Sequence, residues 1–212
     1  MPRPILYDYF RSSAAYRVRI ALNLKGIDYD AVPVSLIDDE HHETDYRARN
    51  PQGFVPMLEI DGQRLTQSLA IIDYLDATVQ EPRLVPRDPA DRSHVLALAL
   101  VVAADIHPVN NLRIMRYLER QLGRDLAARD AWYAHWIREG LSALEALAAP
   151  RAGTFLFGES PGLADICLVP QLFNARRFNV DLEPYPTLRR ADASAQALDA
   201  FAHAHPERVK PS

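Results

Sequence analysis

A pair of hydroxyl groups opens the segment 11–26, RSSAAYRVRIALNLKG, whose apolar residues follow helical spacing. The side chain of Ser12 or Ser13 can cap this helix by accepting a hydrogen bond from an N–H group of the first turn. A helix N-terminus also attracts anions, so a thiolate or a carboxylate can bind there. Arg11 adds a positive charge beside both serines. The segment therefore predicts either an ordinary capped helix or the start of an anion-binding site.

Composition limits the classes of function. The chain has 212 residues, 48% of them hydrophobic and 25% charged, which is typical of one large or two small globular domains. A net charge of -4 gives no reason to expect nucleic acid as a partner. The single cysteine, Cys167, excludes an internal disulfide, a CxxC redox pair and a cysteine-rich zinc site. We predict no metal ligands.

The N-terminal sequence MPRPILYDYF does not resemble a signal peptide, because its apolar run is short and contains Asp8. No apolar stretch reaches about 18 residues without a charged residue, which argues against a membrane span. We therefore expect a soluble, cytoplasmic protein that does not bind membranes.

The first 80 residues alternate between strand and helix signals and predict an α/β domain of order βαβαββα with a mixed sheet. Pro33 indicates that the second strand lies at a sheet edge, and Asp61-Gly62 indicates a hairpin. The expected strands are 4–9, 29–36, 57–60 and 64–66. The expected helices are one from Ser12, a short one within 38–50, and 69–78.

The stretch 81–89, EPRLVPRDP, is rich in proline and charge and is the best candidate for a linker. Beyond it, residues 90–212 show only helical periodicity and predict an all-α domain. The expected helices are 90–122, 127–147, 163–178 and 187–203. Pro108 should kink the first of them, and Asp165 should support the start of the third, which Gly162 caps.

Several motifs resemble those of the zeta-class glutathione S-transferases. RSSAAYRVRIALNLKG is similar to the class signature SSCxWRVRIAL, NPQGFVP to the cis-proline loop, and TQSLAIIDYL to the turn that binds the glutamyl unit. GLADICLVPQ, ARRFNVDLEPYP and DIHPVNNLRIMRYL resemble segments of the helical domain. The resemblance implies a thioredoxin-like N-terminal domain, an all-α C-terminal domain, glutathione as cofactor and a homodimer.

The resemblance also implies which residues bind glutathione. Val55 and Pro56 would form the cis-proline loop, whose backbone pairs with the cysteinyl unit as an added strand does. Gln67 and Ser68 would bind the γ-glutamyl carboxylate at a helix N-terminus. The further expected glutathione-binding residues are His41, Gln52, His107, Asn110 and Asn111.

Ser12 or Ser13 would donate a hydrogen bond to the glutathione sulfur, and we prefer Ser12. The class has a cysteine after these serines, whereas this chain has Ala14. A role in catalysis for that cysteine is therefore excluded here, and the nucleophile has to be glutathione itself. The resemblance covers maleylacetoacetate isomerases and the closely related glutathione-dependent maleylpyruvate isomerases. Some of the latter also lack this cysteine, so Ala14 slightly favours the maleylpyruvate isomerases.

The resemblance implies cis–trans isomerisation of maleylacetoacetate or maleylpyruvate, which are small dicarboxylates. Arginine binds carboxylates with two parallel hydrogen bonds, and Arg11, Arg113 and Arg177 are the candidates for that role. Two alternatives stay open. One is a general glutathione transferase, including one that dehalogenates α-halo acids, and the other is a noncatalytic protein of the same fold.

Overall fold

The computed structural model describes residues 2–211 and contains a four-stranded sheet in the order β2-β1-β3-β4. The strands are β1 (Ile5–Asp8), β2 (Asp30–Pro33), β3 (Met57–Ile60) and β4 (Gln63–Thr66). β1 runs parallel to β2 and antiparallel to β3, which pairs with β4 as a hairpin. The mixed sheet, the hairpin and the edge position of the Pro33 strand are confirmed, although β2 is shorter than we predicted.

The helices of the sheet region are α1 (Ser13–Leu24), α2 (Thr44–Arg49) and α3 (Ser68–Thr78), with a 3-10 turn at Glu40–His42. α1 and α3 pack against each other. Their apolar faces and the inner side of the sheet form a core whose members are fully buried: Leu6, Val18, Ile20, Leu22, Met57, Leu58, Ile71, Ile72 and Leu75. The predicted order βαβαββα is confirmed.

The helical region contains α4 (Pro89–Leu100), α5 (His107–Val109), α6 (Leu112–Arg120), α7 (Leu126–Ala148), α8 (Leu163–Arg177), α9 (Pro186–Gln196), α10 (Asp199–His203) and α11 (Pro206–Val209), with a π-helical segment at Val101–Ile106. α8 is buried on almost every side, and Cys167 within it is fully buried.

The single helix that we predicted over 90–122 is wrong. Pro108 lacks an N–H group and its ring crowds the preceding turn, and immediately before it the helix widens, so that the N–H of His107 donates to the carbonyl of Val102. The helix then breaks at Asn110, and α6 starts again after Asn111. We predicted a kink at Pro108, but neither the break at Asn110 nor the new helix start after Asn111.

The chain divides into two compact units. The first unit contains the residues up to Arg83 together with those from Ala197 on, and the second unit is Leu84–Gln196. The boundary after Arg83 lies within the expected linker. The predicted helical domain ran to residue 212, whereas the residues from Ala197 on belong to the first unit. The outer ends of both predicted domains, Met1 and Ser212, lie outside the described residues.

The predicted helix 187–203 is accordingly two helices, α9 in the second unit and α10 in the first. α10 packs on α1. The side-chain amide of Asn23 donates to the carbonyl of Ala200 at 2.8 Å, and Nε of Arg19 donates to the carbonyl of Ala204 at 3.0 Å. Two polar side chains of α1 therefore hold the C-terminal segment.

One stretch of residues 2–211, Pro89–Arg120, is long and apolar enough to cross a membrane by length and composition alone. Core helices of globular proteins pass the same test. Here α4 packs against α8, and the π-helical segment packs against α7.

Candidate functional site

The start of α1 has the geometry of a capped helix. Ser12 is extended, with φ -69° and ψ 118°, and its Oγ accepts a hydrogen bond from the N–H of Ala15 at 3.2 Å. Ser12 is half-buried, Ser13 is buried, and Arg11 is exposed with its guanidinium over the Phe10 ring. A hydroxyl that accepts in a cap keeps its own O–H as a donor. Ser12 can therefore cap the helix and donate to a bound anion together.

A buried ion pair holds the loop before α1. Nη1 of Arg19 lies 2.7 Å from both carboxylate oxygens of Asp8, and its Nη2 donates to the carbonyl of Phe10 at 3.0 Å. Burial raises the pKa of Asp8, and the Arg19 charge opposes that rise. The guanidinium thus joins the end of β1, the loop that leads to Ser12, and the body of α1.

The peptide bond between Val55 and Pro56 is cis, as we expected from the resemblance. Val55 is buried in a small apolar cluster with Val34 and Tyr46. The carbonyl of Phe54, one residue earlier, accepts hydrogen bonds from the Tyr46 hydroxyl at 2.5 Å and from the Asn50 side-chain amide at 2.8 Å. Burial raises the pKa of Tyr46 to about 12, so its hydroxyl stays protonated and donates.

Three of the predicted glutathione-binding residues lie together at the start of α3. Nε2 of Gln67 donates to Oε1 of Gln52 at 2.8 Å. Gln67 has a φ of 67°, a left-handed conformation that is uncommon for residues other than glycine and recurs at functional sites. The next residue, Ser68, is buried, and its Oγ accepts a hydrogen bond from Nη1 of Arg17 at 3.2 Å.

Arg17 is a residue that the sequence analysis missed. It lies on α1, its exposed fraction is only 2%, and it brings a positive charge to the N-terminus of α3. Ser68 accepts from Arg17 and keeps its own O–H to donate, as Ser12 does. The only available signal was the charge of Arg17 and Arg19 within an apolar helix, because a buried charge requires a partner.

His41 is buried in the turn before α2, with its Nε2 4.0 Å from Oδ1 of Asp39 and its ring 3.9 Å from that of His42. Gly53, with a φ of +63°, packs on this turn, and a Cβ built on it would lie 2.8 Å from the His41 carbonyl oxygen. The turn at Asn50–Gly53 and the turn at His41 thus fit together only with glycine at position 53. His41 and the loop that carries Gln52 are therefore brought together.

The predicted residues of the second unit form a separate group. Asn110 is buried, and its side-chain amide donates to the carbonyl of Tyr133 at 3.2 Å. Asn111 caps α6 by accepting from the N–H of Arg113 at 3.1 Å. His107 is half-buried. Both asparagines already have structural hydrogen bonds, and their binding roles stay predictions.

Arg113 and Arg177 are both exposed. Nη1 of Arg177 donates to Oδ1 of Asn174 at 3.3 Å, and its guanidinium lies 5.8 Å from the centre of the Phe178 ring. Phe178 in turn stacks on Tyr133 with ring centres 3.7 Å apart. Burial raises the pKa of Tyr133 to about 12, and the Arg177 charge opposes that rise. Arg177 is therefore steadied by an aromatic pair at the end of α8.

Asp165 lies at the start of α8 and has a structural role. Its carboxylate accepts from the N–H groups of Gly162 at 3.0 Å and Leu156 at 2.9 Å. Burial nevertheless raises its pKa to about 6, against the effect of these hydrogen bonds. A Cβ on Gly162 would lie 3.0 Å from the carbonyl oxygen of Leu84, which accounts for glycine at this cap.

Comparison with known proteins identifies the family. The N-terminal domain model of the glutathione S-transferases matches residues 11–78, and the C-terminal domain model matches residues 112–206. A maleylacetoacetate isomerase of Rhizobium meliloti is 52% identical over 98% of both chains. The holo structure of a bacterial zeta-class maleylpyruvate isomerase is 47% identical, with a TM-score of 0.96 over 98% of this chain and 99% of that one.

A maleylacetoacetate isomerase of Methylobacterium extorquens AM1, solved with bound malonate and glutathione, is 40% identical, with a TM-score of 0.91 over 98% of this chain and 100% of that one. The similarity thus extends over both units and includes a relative solved with both glutathione and a small dicarboxylate bound. On these matches the chain belongs to the zeta class of the glutathione S-transferase family.

Proposed function

We propose that this chain is a glutathione-dependent cis–trans isomerase that acts on maleylacetoacetate or maleylpyruvate. The observation that carries the proposal is the full-length similarity to enzymes of both names. The two substrates share the maleyl unit, a cis double bond conjugated to a carbonyl and flanked by carboxylate. The residues described above suit each part of that reaction.

The donors of the first unit fit glutathione. The O–H of Ser68 and the charge of Arg17 at the start of α3 suit the γ-glutamyl carboxylate. The cis-proline loop suits the backbone of the cysteinyl unit, and His41 with Gln52 suits the glycyl end. When bound, glutathione supplies the thiolate that adds to the double bond. The bond is then single and can rotate, and elimination of the thiolate leaves the trans isomer.

Ser12 is the residue that we assign to the sulfur. A free thiol has a pKa near 8.5, and lowering it by about two units requires roughly 2.7 kcal/mol. A hydrogen bond to a charged acceptor contributes about 1.5–3 kcal/mol, and the helix N-terminus about 0.3–1 kcal/mol more. Because the Ser12 oxygen accepts from Ala15, its O–H is polarised toward donation. Ser13 keeps the same role as an alternative.

The arginines are the residues that we assign to the substrate. Arg11, Arg113 and Arg177 are proposed to bind the carboxylates of the substrate and to stabilise the negative charge that develops on its carbonyl oxygen. All three are exposed, so they are accessible to a ligand from solvent. Arg177 also keeps its orientation through Asn174 and Phe178.

The test is a steady-state assay of both substrates with and without catalytic glutathione. We expect turnover of at least one substrate, with glutathione regenerated, and a loss of turnover in Ser12→Ala. Arg47→Ala, an exposed residue of α2, is the control and should behave as the wild type. Stoichiometric consumption of glutathione would instead indicate a transferase. If neither substrate reacts, the proposal fails.

We also propose that the chain forms a homodimer and works in the cytoplasm. The family resemblance supports both statements. In the dimer, His107, Asn110 and Asn111 would contact either the glutathione bound by the same subunit or the glutathione bound by the partner subunit. Light scattering coupled to gel filtration tests the dimer, and a single species with the mass of one chain would contradict it.

A further inference from the structure

The turn before α2 contains a group of metal-binding side chains that the isomerase reaction does not use. Potential ligand atoms of Asp39, His41 and His42 all lie within 4.8 Å of one another. Imidazole nitrogen and carboxylate oxygen are the ligands that Zn²⁺ binds besides cysteine thiolate. We propose that these three residues form a Zn²⁺ site at the glycyl end of the glutathione site.

The three side chains belong to one short turn. Asp39 has a φ of 62°, and its Oδ1 lies 4.0 Å from Nε2 of His41. The two imidazole rings lie 3.9 Å apart, centre to centre. Around a tetrahedral zinc ion with bonds of about 2.0–2.1 Å, ligand atoms sit closer than they do here. On this proposal the side chains rotate and the two rings move apart on binding, so that their nitrogens converge on the ion.

The neighbouring loop fixes the backbone of the same turn. A Cβ on Gly53 would lie 2.8 Å from the His41 carbonyl oxygen and 3.3 Å from Nδ1 of His42. His41 is buried, Asp39 is half-buried and His42 is exposed. A bound ion would thus have protein on one side and water on the other, with three protein ligands and an open position. Sites of that composition can accept a further oxygen ligand.

The open position suggests what the site does. On the proposed function, His41 and Gln52 meet the glycyl carboxylate of glutathione, and Zn²⁺ beside His41 would add a positive charge and a free coordination position there. We therefore expect zinc to tighten glutathione binding rather than to compete with it. By linkage, glutathione must tighten zinc binding by the same factor.

The binding test is calorimetric titration of Zn²⁺ into untagged, chelator-treated protein. We expect one ion per chain. His42→Ala and Asp39→Asn should each weaken binding at least about tenfold, since even an outer-shell change has effects of that size. Asn tolerates the left-handed conformation of Asp39, and neither residue belongs to the proposed glutathione site. His135→Ala, an exposed histidine of α7, is the control for adventitious binding and should change nothing.

The coupling test uses S-methylglutathione, because the free thiol of glutathione itself binds zinc. Saturating Zn²⁺ should tighten the binding of S-methylglutathione at least about fivefold. The effect should disappear in His42→Ala, and also when the glycine carboxylate of the S-methylated tripeptide is amidated. Failure to bind one ion, or equal binding by His42→Ala, overturns the site. Zinc binding without any change in S-methylglutathione affinity overturns the coupling. If zinc binds but neither maleyl substrate reacts in chelator, the proposed function fails and the site stands.

Discussion

The candidate residues for glutathione and those for the substrate carboxylates differ in how they are held. In the first unit the glutathione candidates are buried or hydrogen-bonded to one another, as Gln67 is with Gln52, or bonded to a buried arginine, as Ser68 is with Arg17, whereas Arg11 is exposed. In the second unit the candidate arginines are exposed at helix surfaces. A ligand that is always the same molecule, such as glutathione, can be met by a rigid set of donors. Exposed arginines instead adapt to substrates that differ beyond their shared carboxylates, which is what we propose for the second unit.

This contrast predicts that changes in the first unit affect stability and chemistry together. Arg19→Leu should lose about 3–5 kcal/mol of unfolding free energy, because it leaves Asp8 buried without its partner. Denaturant unfolding measures the loss. Arg47→Leu, at the surface of α2, should stay within about 0.5 kcal/mol of the wild type. Equal stability of the two variants would contradict the role of the buried pair, and Asp8→Leu combined with Arg19→Leu should recover part of the loss.

The second unit has its own buried charge, but it supports a helix start. The pKa of Asp165 in the folded protein is about 6, above its ordinary 3.8. The folded state therefore binds the Asp165 proton more tightly than the unfolded state does. The stability that this protonation contributes is complete below about pH 4 and is lost as the pH rises through 6. As the pH rises over that range, the unfolding free energy of the wild type should fall by up to about 3 kcal/mol relative to that of Asp165→Asn, which has no carboxyl group to titrate. A difference that is constant with pH would refute the assignment.

Ser12→Ala separates capping from chemistry. Loss of the cap should cost about 1 kcal/mol of stability. Loss of the donor should raise the pKa of the bound glutathione thiol by about one to two units, from the 1.5–3 kcal/mol of a charged hydrogen bond. The ultraviolet absorbance of the bound thiolate against pH measures this shift. Ser13→Ala is the matched variant, and a larger shift in Ser13→Ala would move the assignment to Ser13.

Arg177→Ala should have the smallest effect on stability and a selective effect on the substrate. The side chain is exposed, so unfolding free energy should change by less than about 0.5 kcal/mol. KM for the maleyl substrate should rise roughly tenfold, from a lost charged hydrogen bond of about 1.5 kcal/mol, while glutathione affinity stays constant. Arg189→Ala, an exposed arginine of α9, is the control. A weakened affinity for glutathione would contradict the division of roles.

Local patterns predicted most of the fold. Strand alternation, the Asp-Gly turn and helical periodicity specified the mixed sheet and its helices, because each signal lies within a few residues. The break at Asn110 was missed because the apolar pattern continues across it, and only the cap geometry of Asn111 distinguishes two helices from one. The return of the last residues to the first unit was missed because it rests on contacts with α1 that are distant in sequence, such as Asn23 with Ala200.

The site was predicted through motifs rather than physics. Resemblance suggested the cis bond before Pro56, which is confirmed, whereas a proline alone does not predict its isomer. The sequence did not predict a role for Arg17, because the hydrogen bond from its guanidinium to Ser68 joins residues far apart in the chain. The metal-binding group escaped because neighbouring histidines in a polar loop usually face solvent. Only the folded turn shows that Asp39, His41 and His42 face one another.

The discontinuous first unit has a consequence for the order in which the protein is made. α1 packs on α10, and Arg19 binds the carbonyl of Ala204. A ribosome completes these residues only after it has synthesised the whole second unit. The nascent N-terminal segment holds every strand of the sheet and the core between the sheet, α1 and α3, but the face of α1 that packs on α10 stays uncovered until the residues after the second unit are made. Chaperones that shield this segment during synthesis would meet that face of α1 exposed.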